Sequence, residues 1–258
     1  MLNKSKIILP ADDDEVKLCL MKACDLYTKA SFTSKAFYTK FLSPLEARCI
    51  LQRFPKDDVN IRLFGGYDEF ERCVCEFYTY DEVLNFPVAA LKVKSKSKNP
   101  SLSHRDYLGS VLSLGIKREL VGDIVIRENE AIVFCLEEIA DFIADNLTKI
   151  ANTGVSIKKE ENIDDINIKR DFDIISSTVS SLRCDSVVAS ALNLSRSKAA
   201  ELIERGYVSF NYEQAKSAAK VIKDGDVFSV RGYGKFRVQT DGSLTRKGRI
   251  HINIFRYK

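Results

Sequence analysis

The stretch LRCDSVVASALNLSRSKAAELIERGYVSFN, residues 182–211, decides the fold of the last third of the chain. Ser195 is a favoured helix N-cap, and small or branched apolar residues follow at helical spacing until Gly206 ends the helix. Residues 185–194 predict a preceding helix, and Tyr207–Tyr212 alternates as a strand. The stretch therefore predicts a helix-turn-helix-strand unit.

Two cations, Arg196 and Lys198, stand in the first turn of the second predicted helix. Cations there oppose the helix dipole, at a cost of roughly 0.3–1 kcal/mol each. A bound phosphate would remove the conflict, because it would meet free backbone N–H groups and two positive charges together. The alternative is that both side chains simply point into solvent, and this feature alone does not separate the two interpretations.

The sequence that follows is basic and rich in turns. Three lysines (Lys216, Lys220 and Lys223) precede the Gly225-Asp226 turn and a strand over residues 227–230. In RGYGKF, residues 231–236, two cations flank Tyr233, and such an aromatic ring can stack on a base while its neighbours bind phosphate. Asp241-Gly242 predicts another hairpin, closed by a strand over residues 248–257 that carries Arg249 and Arg256.

Charge is unevenly distributed along the chain. The formal net charge is +4, but residues 183–258 hold 15 Lys and Arg against 7 Asp and Glu, whereas the rest holds 25 against 29. Segregation of this kind indicates a polyanionic partner for the last unit. A solvated basic face is the alternative.

The middle of the chain alternates strands and helices. The pattern predicts strands at 88–93, 123–127, 131–136 and near Val155, and helices at 104–114, capped by Ser103, and 137–150. The order β-α-β-β-α-β is that of the split βαβ, or RRM-like, architecture. RRM domains stack bases on aromatic residues of their central strands, and here only Phe134 is placed for this, so ordinary single-strand stacking is not expected.

The N-terminal region predicts helices closed by a hairpin. Its predicted helices cover residues 12–30, residues 35–41 and a segment starting at Ser43, where Pro44 and Glu46 complete a capping box. Strands are predicted at 61–64 and 71–78. We expect an α+β chain with a helical and hairpin unit (1–80), an RRM-like domain (81–157), a charged linker (158–181) and a basic unit of two helices and a small antiparallel sheet (182–258). Residues 174–179, near the end of the linker, predict a strand that leads into the last unit.

The segment Leu182–Phe236 resembles an S4 domain, an RNA-binding module first known from a small-subunit ribosomal protein. The resemblance rests on residues 182–211 and on KDGDVFSVRGYGKF, residues 223–236; Cys184 stands where the family usually has leucine. In that family the helix-turn-helix face and the adjoining strand grip rRNA or tRNA. With Lys216 of the basic run, the implied RNA-binding residues are Arg183, Ser195, Arg196, Ser197, Lys198, Arg205, Asn211, Arg231, Tyr233 and Lys235.

Most of the chain is similar to the YlmH-like proteins of Gram-positive bacteria. The similarity includes LSHRDYLGSVLSLGIKRELVGDIVI, residues 102–126, and TRKGRIHINIFRYK, residues 245–258. It implies a role on the large ribosomal subunit, in rescue of stalled subunits that hold peptidyl-tRNA, with contacts to 23S rRNA and tRNA. An adaptor in cell division, localised by the S4 domain, is the alternative.

His104-Arg105-Asp106 raises the possibility of catalysis, since similar tripeptides occur in protein kinases and pseudouridine synthases. A kinase would need Asn where Val111 stands, and a pseudouridine synthase would have a leucine before the aspartate. We therefore expect no enzyme, with Asp106 bonding back to the helix cap. Arg105 and Arg118, with Lys94, Lys96 and Lys98 of a period-two lysine run that begins at Lys92, are a candidate second RNA contact; a solvated loop is the alternative.

Composition narrows the class of protein further. Seven scattered cysteines without a CxxC pair, and two histidines, argue against zinc and favour reduced thiols in a cytoplasm. Cys73 and Cys75 are expected to pack in a core. We expect no cofactor, no secretory signal, no membrane segment and a monomer off the ribosome.

Overall fold

The chain is an α+β protein. Its computed structural model describes residues 2–8, 13–33, 35–55, 57–80, 86–97, 102–127, 130–163, 166, 168 and 172–257. In this described part there are seven α-helices and three antiparallel sheets, which belong to two compact units, Met1–Ile168 and Lys169–Lys258.

The first unit begins with helices packed on a small sheet. The elements are α1 (Lys4–Ile8), α2 (Asp14–Phe32), β1 (Phe37–Tyr38), α3 (Pro44–Arg53), β2 (Asn60–Phe64) and β3 (Val74–Tyr78), and the sheet order is β1-β3-β2. The capping box of α3 is confirmed: the Ser43 side chain accepts from the Glu46 N–H, and the Glu46 carboxylate accepts from the Ser43 N–H. Cys73 and Cys75 are buried in this core, as expected.

The predicted helix over residues 35–41 is wrong. Phe37 and Tyr38 form β1 and pair with Phe77 and Glu76 of β3. The strand conformation of this segment depends on pairing with a strand about 40 residues later in the sequence, and no local sequence pattern indicates that pairing.

The second half of the unit is a five-stranded sheet with two helices. Its elements are β4 (Val88–Ser95), α4 (His104–Leu112), a 3-10 turn (Arg118–Leu120), β5 (Val121–Arg127), β6 (Glu130–Leu136), α5 (Glu137–Asn146), β7 (Lys149–Ile150) and β8 (Thr153–Lys159), in the sheet order β5-β6-β4-β8-β7. The predicted strands and α4 are present. Helix α5 ends at Asn146 instead of Ile150, because Ile150 pairs with Thr153 across a turn with Ala151 in the left-handed region.

The two halves of the first unit share a core. Buried Asp123 accepts from the Tyr67 hydroxyl at 2.8 Å and from the backbone N–H groups of Glu71 and Arg72. The ring of Tyr67 also stacks on Phe134, with centroids 5.2 Å apart. Residues 1–80 and 81–157, predicted as separate domains, thus lie in one compact unit.

The second unit is a six-stranded sheet with a helix pair on one face. Its elements are β9 (Phe172–Val179), α6 (Cys184–Leu192), α7 (Arg196–Glu204), β10 (Val208–Phe210), β11 (Glu213–Gln214), β12 (Val227–Val230), β13 (Gly234–Gln239) and β14 (Ile250–Tyr257), in the sheet order β11-β10-β12-β13-β14-β9. Stacked rings of Phe210, Phe228 and Phe236 fill the core against Val187 and Ile203.

The strand predicted over residues 174–179 is present, but it belongs to the second sheet rather than to a linker over residues 158–181. Strand β9 pairs with β14 over eight positions, from Phe172 with Tyr257 to Val179 with Ile250, so it belongs to the second sheet. Its sequence, FDIISSTV, contains several β-branched residues, which favour a strand.

Candidate nucleic-acid interface

The turn between α6 and α7 places the predicted RNA-binding residues. Asn193 ends α6 in the left-handed conformation, with φ 53°. Ser195 then caps α7, and its Oγ accepts from the backbone N–H of Lys198 at 3.3 Å, as predicted. Gly206, with φ +74°, ends the second helix, so the helix-turn-helix-strand prediction is confirmed.

A buried carboxylate organises the basic residues at this turn. Asp185 is 6% exposed and accepts from both Arg183, at 3.2 Å, and Arg196, at 2.8 Å. Burial alone would raise the pKa of Asp185, but hydrogen bonds from Arg183 and Arg196 outweigh it and lower the pKa to about 2. The carboxylate is therefore charged, and it fixes two guanidinium groups in place.

This geometry corrects part of the electrostatic argument from sequence. Arg196 has an anionic partner within the chain, so a phosphate is not needed to explain its position at the start of α7. Lys198 differs, because it is exposed and has no ion pair among the described residues. The single charge of Asp185 serves two arginines, and the group formed by Arg183, Asp185, Arg196 and Lys198 keeps a positive surplus.

A second basic group lies at the other end of α7. Arg231 stands over the Tyr207 ring at 5.8 Å, and the Lys235 ammonium donates to the Tyr212 hydroxyl at 3.0 Å while it lies 5.0 Å from the Tyr257 ring centroid. Tyr233 is 42% exposed. Helix α7 has nine residues and is about 13 Å long, and Tyr207, which Arg231 contacts, follows its C-terminal end.

Two other predicted residues have partners inside the chain. Arg205 forms an ion pair with Glu201 at 2.7 Å, and both side chains are exposed. Asn211 has φ 49°, and its side chain donates to Asp226 at 2.8 Å and accepts from the Val227 N–H at 3.0 Å. The structure thus accounts for Asn211 by a role in the turn between β10 and β11.

Three further polar residues of the second unit are Lys216, Ser197 and Arg249. Lys216 and Ser197 are exposed, and the Ser197 hydroxyl lies 3.0 Å from that of Ser195. Arg249 donates through Nε to the Thr178 hydroxyl at 3.0 Å. The sequence placed Arg249 only on the closing strand and gave no partner for it.

In the first unit, the candidate second contact is only partly exposed. Lys94, Lys96 and Arg105 are exposed, and Lys98 lies outside the described residues. Arg118 instead donates to the carbonyls of Val121 and Gly122, and burial lowers its pKa to about 10. Arg118 therefore has a structural role beneath β5.

The surroundings of Phe134 and Asp106, in the same unit, bear on base stacking and catalysis. Phe134 is fully buried under Tyr67, so its ring cannot stack on a base. Asp106 accepts from the Ser103 N–H at 2.8 Å and from its hydroxyl at 2.7 Å, which confirms the predicted bond back to the cap.

Sequence reasoning missed Asp185 and the tyrosines that contact Arg231 and Lys235. A signal for Asp185 existed, since an acid in the first turn of α6 stands two residues after Arg183. Its contact with Arg196, 11 residues later, depends on the angle between α6 and α7 and has no local pattern.

Comparison with known proteins places the chain in a family. Residues 82–164 match the family model described as "Putative RNA-binding domain in YlmH". The chain is 33% identical over 224 residues to "Ribosome-associated protein quality control protein P2" of Bacillus subtilis (strain 168), which covers 85% of this chain and 87% of that protein. The chain belongs to the YlmH family. A solved structure, "Cell division protein ylmH from Streptococcus pneumoniae", aligns at a TM-score of 0.49 with 22% identity, over 61% of this chain and 98% of that one.

One further property concerns membranes. Within the described residues of this YlmH family member, every helix is too short or too polar to cross a bilayer.

Proposed function

We propose that this YlmH family member is a non-catalytic RNA-binding protein that docks on rRNA and tRNA of the large ribosomal subunit. Its role is rescue of stalled subunits that carry peptidyl-tRNA. The observation that carries the proposal is the cluster of Arg183, Arg196 and Lys198 at the start of α7, with two of the cations held by a single buried carboxylate. The name of the Bacillus subtilis relative supports the ribosomal setting.

In this proposal, the second unit is an S4-like domain and acts as the main contact. Helices α6 and α7 and strand β10 form the helix-turn-helix-strand unit that S4 domains use, and the basic residues lie at both ends of α7. Binding reads the shape and backbone of folded RNA, because the exposed groups are cations and hydroxyls that suit phosphate and ribose.

The second half of the first unit is assigned as an RRM-like domain. The order β5-β6-β4-β8, with α4 and α5 as connections, is the arrangement of a split βαβ fold. The description of the matching family model favours RNA contact by this region. With Phe134 buried, the contact would come from exposed Lys94, Lys96 and Arg105 on phosphates rather than from stacked bases.

The proposal of a non-catalytic role is supported by the hydrogen bonds of Asp106. Asp106 accepts hydrogen bonds from the backbone N–H and from the hydroxyl of Ser103, so its carboxylate serves the helix cap. The alternative that the protein is a pseudouridine synthase is tested by mass analysis of rRNA from cells that lack the protein. Loss of one pseudouridine on deletion contradicts the non-catalytic role.

The binding proposal is tested by cosedimentation of the full chain with Bacillus subtilis large subunits at several salt concentrations. Substitution of both Arg196 and Lys198 by Ala should weaken binding at least about 100-fold, since two charge-assisted contacts are lost. The matched control is Lys22→Ala with Lys29→Ala, which removes the same charge from exposed positions on α2. Equal binding by both double variants contradicts the proposed site.

Sucrose gradients with and without ribonuclease separate this function from a division adaptor. Cofractionation with large subunits that is lost on ribonuclease treatment is expected for RNA docking. Association that survives the ribonuclease favours the adaptor and contradicts the proposal.

A further inference from the structure

A cavity of about 310 Å³ lies in the second unit between β9 and α6. One wall is formed by Ser177–Ser180 and another by the residues of α6 that face them, and the turn before α7 closes one end. Arg196 and Arg249 both line the cavity, whereas no carboxylate among the described residues does. The cavity is open to solvent, and its volume is at the lower end of the range for small-molecule sites, about 300–1,000 Å³.

The two arginines are held in position by the protein. Arg249 donates through Nε to the Thr178 hydroxyl at 3.0 Å and through a second nitrogen to the Thr178 carbonyl. Arg196 donates through Nη2 to Asp185 at 2.8 Å. A guanidinium has five N–H donors, so both side chains keep donors beyond these bonds. Two fixed cations beside one cavity are suited to a phosphate.

The rest of the lining is rich in hydroxyl groups. The lining residues that carry a hydroxyl are Ser177, Thr178, Ser180, Ser186 and Ser190, and Asn193 carries an amide. The Oγ of Ser190 is buried and has no hydrogen-bond partner within the part of the chain that the structure describes. This Oγ has almost no accessible surface, so exposed Ser180 and Asn193, rather than Ser190, are within reach of a ligand.

We propose that this cavity binds one ribose-phosphate unit of the RNA, with the phosphate between Arg196 and Arg249 and the ribose hydroxyls against Ser180 and Asn193. The proposal rests on the function proposed above and adds a defined subsite to it. The cavity opens beside the start of α7, where the RNA backbone would already lie. Contact with the 2′-hydroxyl would let the protein distinguish RNA from DNA.

The cavity itself is tested with small probes on the full chain. The Nε–Hε signals of Arg196 and Arg249 are followed by NMR during titration with AMP, dAMP, adenosine and inorganic phosphate. Saturable shifts with AMP, weaker binding of dAMP and phosphate, and no effect of adenosine are expected. Equal affinity for AMP and inorganic phosphate, or no saturable shift, overturns the proposal.

Three variants connect the cavity to RNA binding. Ser180→Ala should leave the melting temperature unchanged, because Ser180 is exposed, and yet weaken binding to AMP and to Bacillus subtilis large subunits about fivefold. Arg249→Gln should weaken both about tenfold or more. Arg246→Gln removes an exposed cation three residues away that does not line the cavity, and it should change neither.

The outcomes separate the cavity from the function on which it rests. If the unaltered chain binds subunits and Ser180→Ala and Arg249→Gln bind equally well, the cavity is not an RNA subsite, and the proposed function stands. If the unaltered chain does not bind subunits, the proposed function fails. AMP binding without subunit binding would then identify a free nucleotide as the occupant and overturn the RNA assignment.

Discussion

Asp185→Asn tests whether the buried carboxylate organises the basic cluster. The substitution keeps the shape of the side chain and removes the charge that Arg183 and Arg196 share. A pKa of about 2 in place of the ordinary 3.8 corresponds to about 2.4 kcal/mol of folding stability at neutral pH. The arginine side chains are 40% and 52% exposed, so solvent screening reduces the expected loss to about 1–2 kcal/mol.

The pH dependence gives the sign of the effect. A carboxylate whose pKa is lowered by folding stabilises the folded chain above its unfolded pKa, and this contribution disappears as the pH falls through the folded value. The contribution of Asp185 should therefore be complete above about pH 4 and be lost toward pH 2. Urea denaturation of the full chain, followed by circular dichroism at pH 7, 4 and 2, measures the difference between the variant and the unaltered protein.

The control is Glu213→Gln, an exposed acid of β11 in the same unit, which should change the free energy of unfolding little. Equal unfolding free energies for Asp185→Asn and the unaltered chain at pH 7, with no change in their difference down to pH 2, would refute the assigned role of Asp185. A direct carbon-13 titration of the Asp185 carboxyl group with a midpoint near 4 would have the same meaning.

Three further substitutions or measurements test local features of the structure. Gly206→Ala should destabilise the chain by about 1 kcal/mol or more in a thermal shift assay, because φ is +74° and a Cβ would lie 2.2 Å from the Gln214 Nε2. Ser103→Ala should cost about 1 kcal/mol of stability and leave subunit binding unchanged, as expected for a helix cap outside the interface. The Cys135 thiol should resist labelling by a disulfide reagent at pH 8 until the chain is unfolded, since burial raises its pKa to about 12.

Elements whose signals are local were predictable from the sequence. Two capping pairs predict the starts of α3 and α4: Ser43 with Glu46, and Ser103 with Asp106. In both cases the capping hydrogen bonds form as expected. Ser195 identifies the start of α7 in the same way. In each capping pair the two residues are three positions apart, so both partners can be recognised in a short stretch of sequence.

Features that depend on distant pairing were not predictable. Residues 37–38 have a helical context, and only β3 makes them a strand. Residues 174–179 predict a strand, but they follow a charged run that resembles a linker, and only the pairing with β14 shows that the strand belongs to the second sheet. The boundary of the second unit therefore lies earlier than the composition indicated.

The electrostatics of α7 show how such a distant contact changes an argument about function. From sequence, Arg196 and Lys198 at the start of a helix pointed to an outside anion. In the structure, the anion that pairs with Arg196 belongs to the chain itself: Asp185 forms ion pairs with both Arg196 and Arg183. One carboxylate cannot neutralise two guanidinium groups, and exposed Lys198 adds a further charge, so these four side chains carry a net charge of +2. The case for phosphate thus no longer depends on a conflict with the helix dipole. It depends on Arg196, held in place by Asp185, and on Arg249, held in place by Thr178, beside a cavity with no carboxylate among its described lining residues.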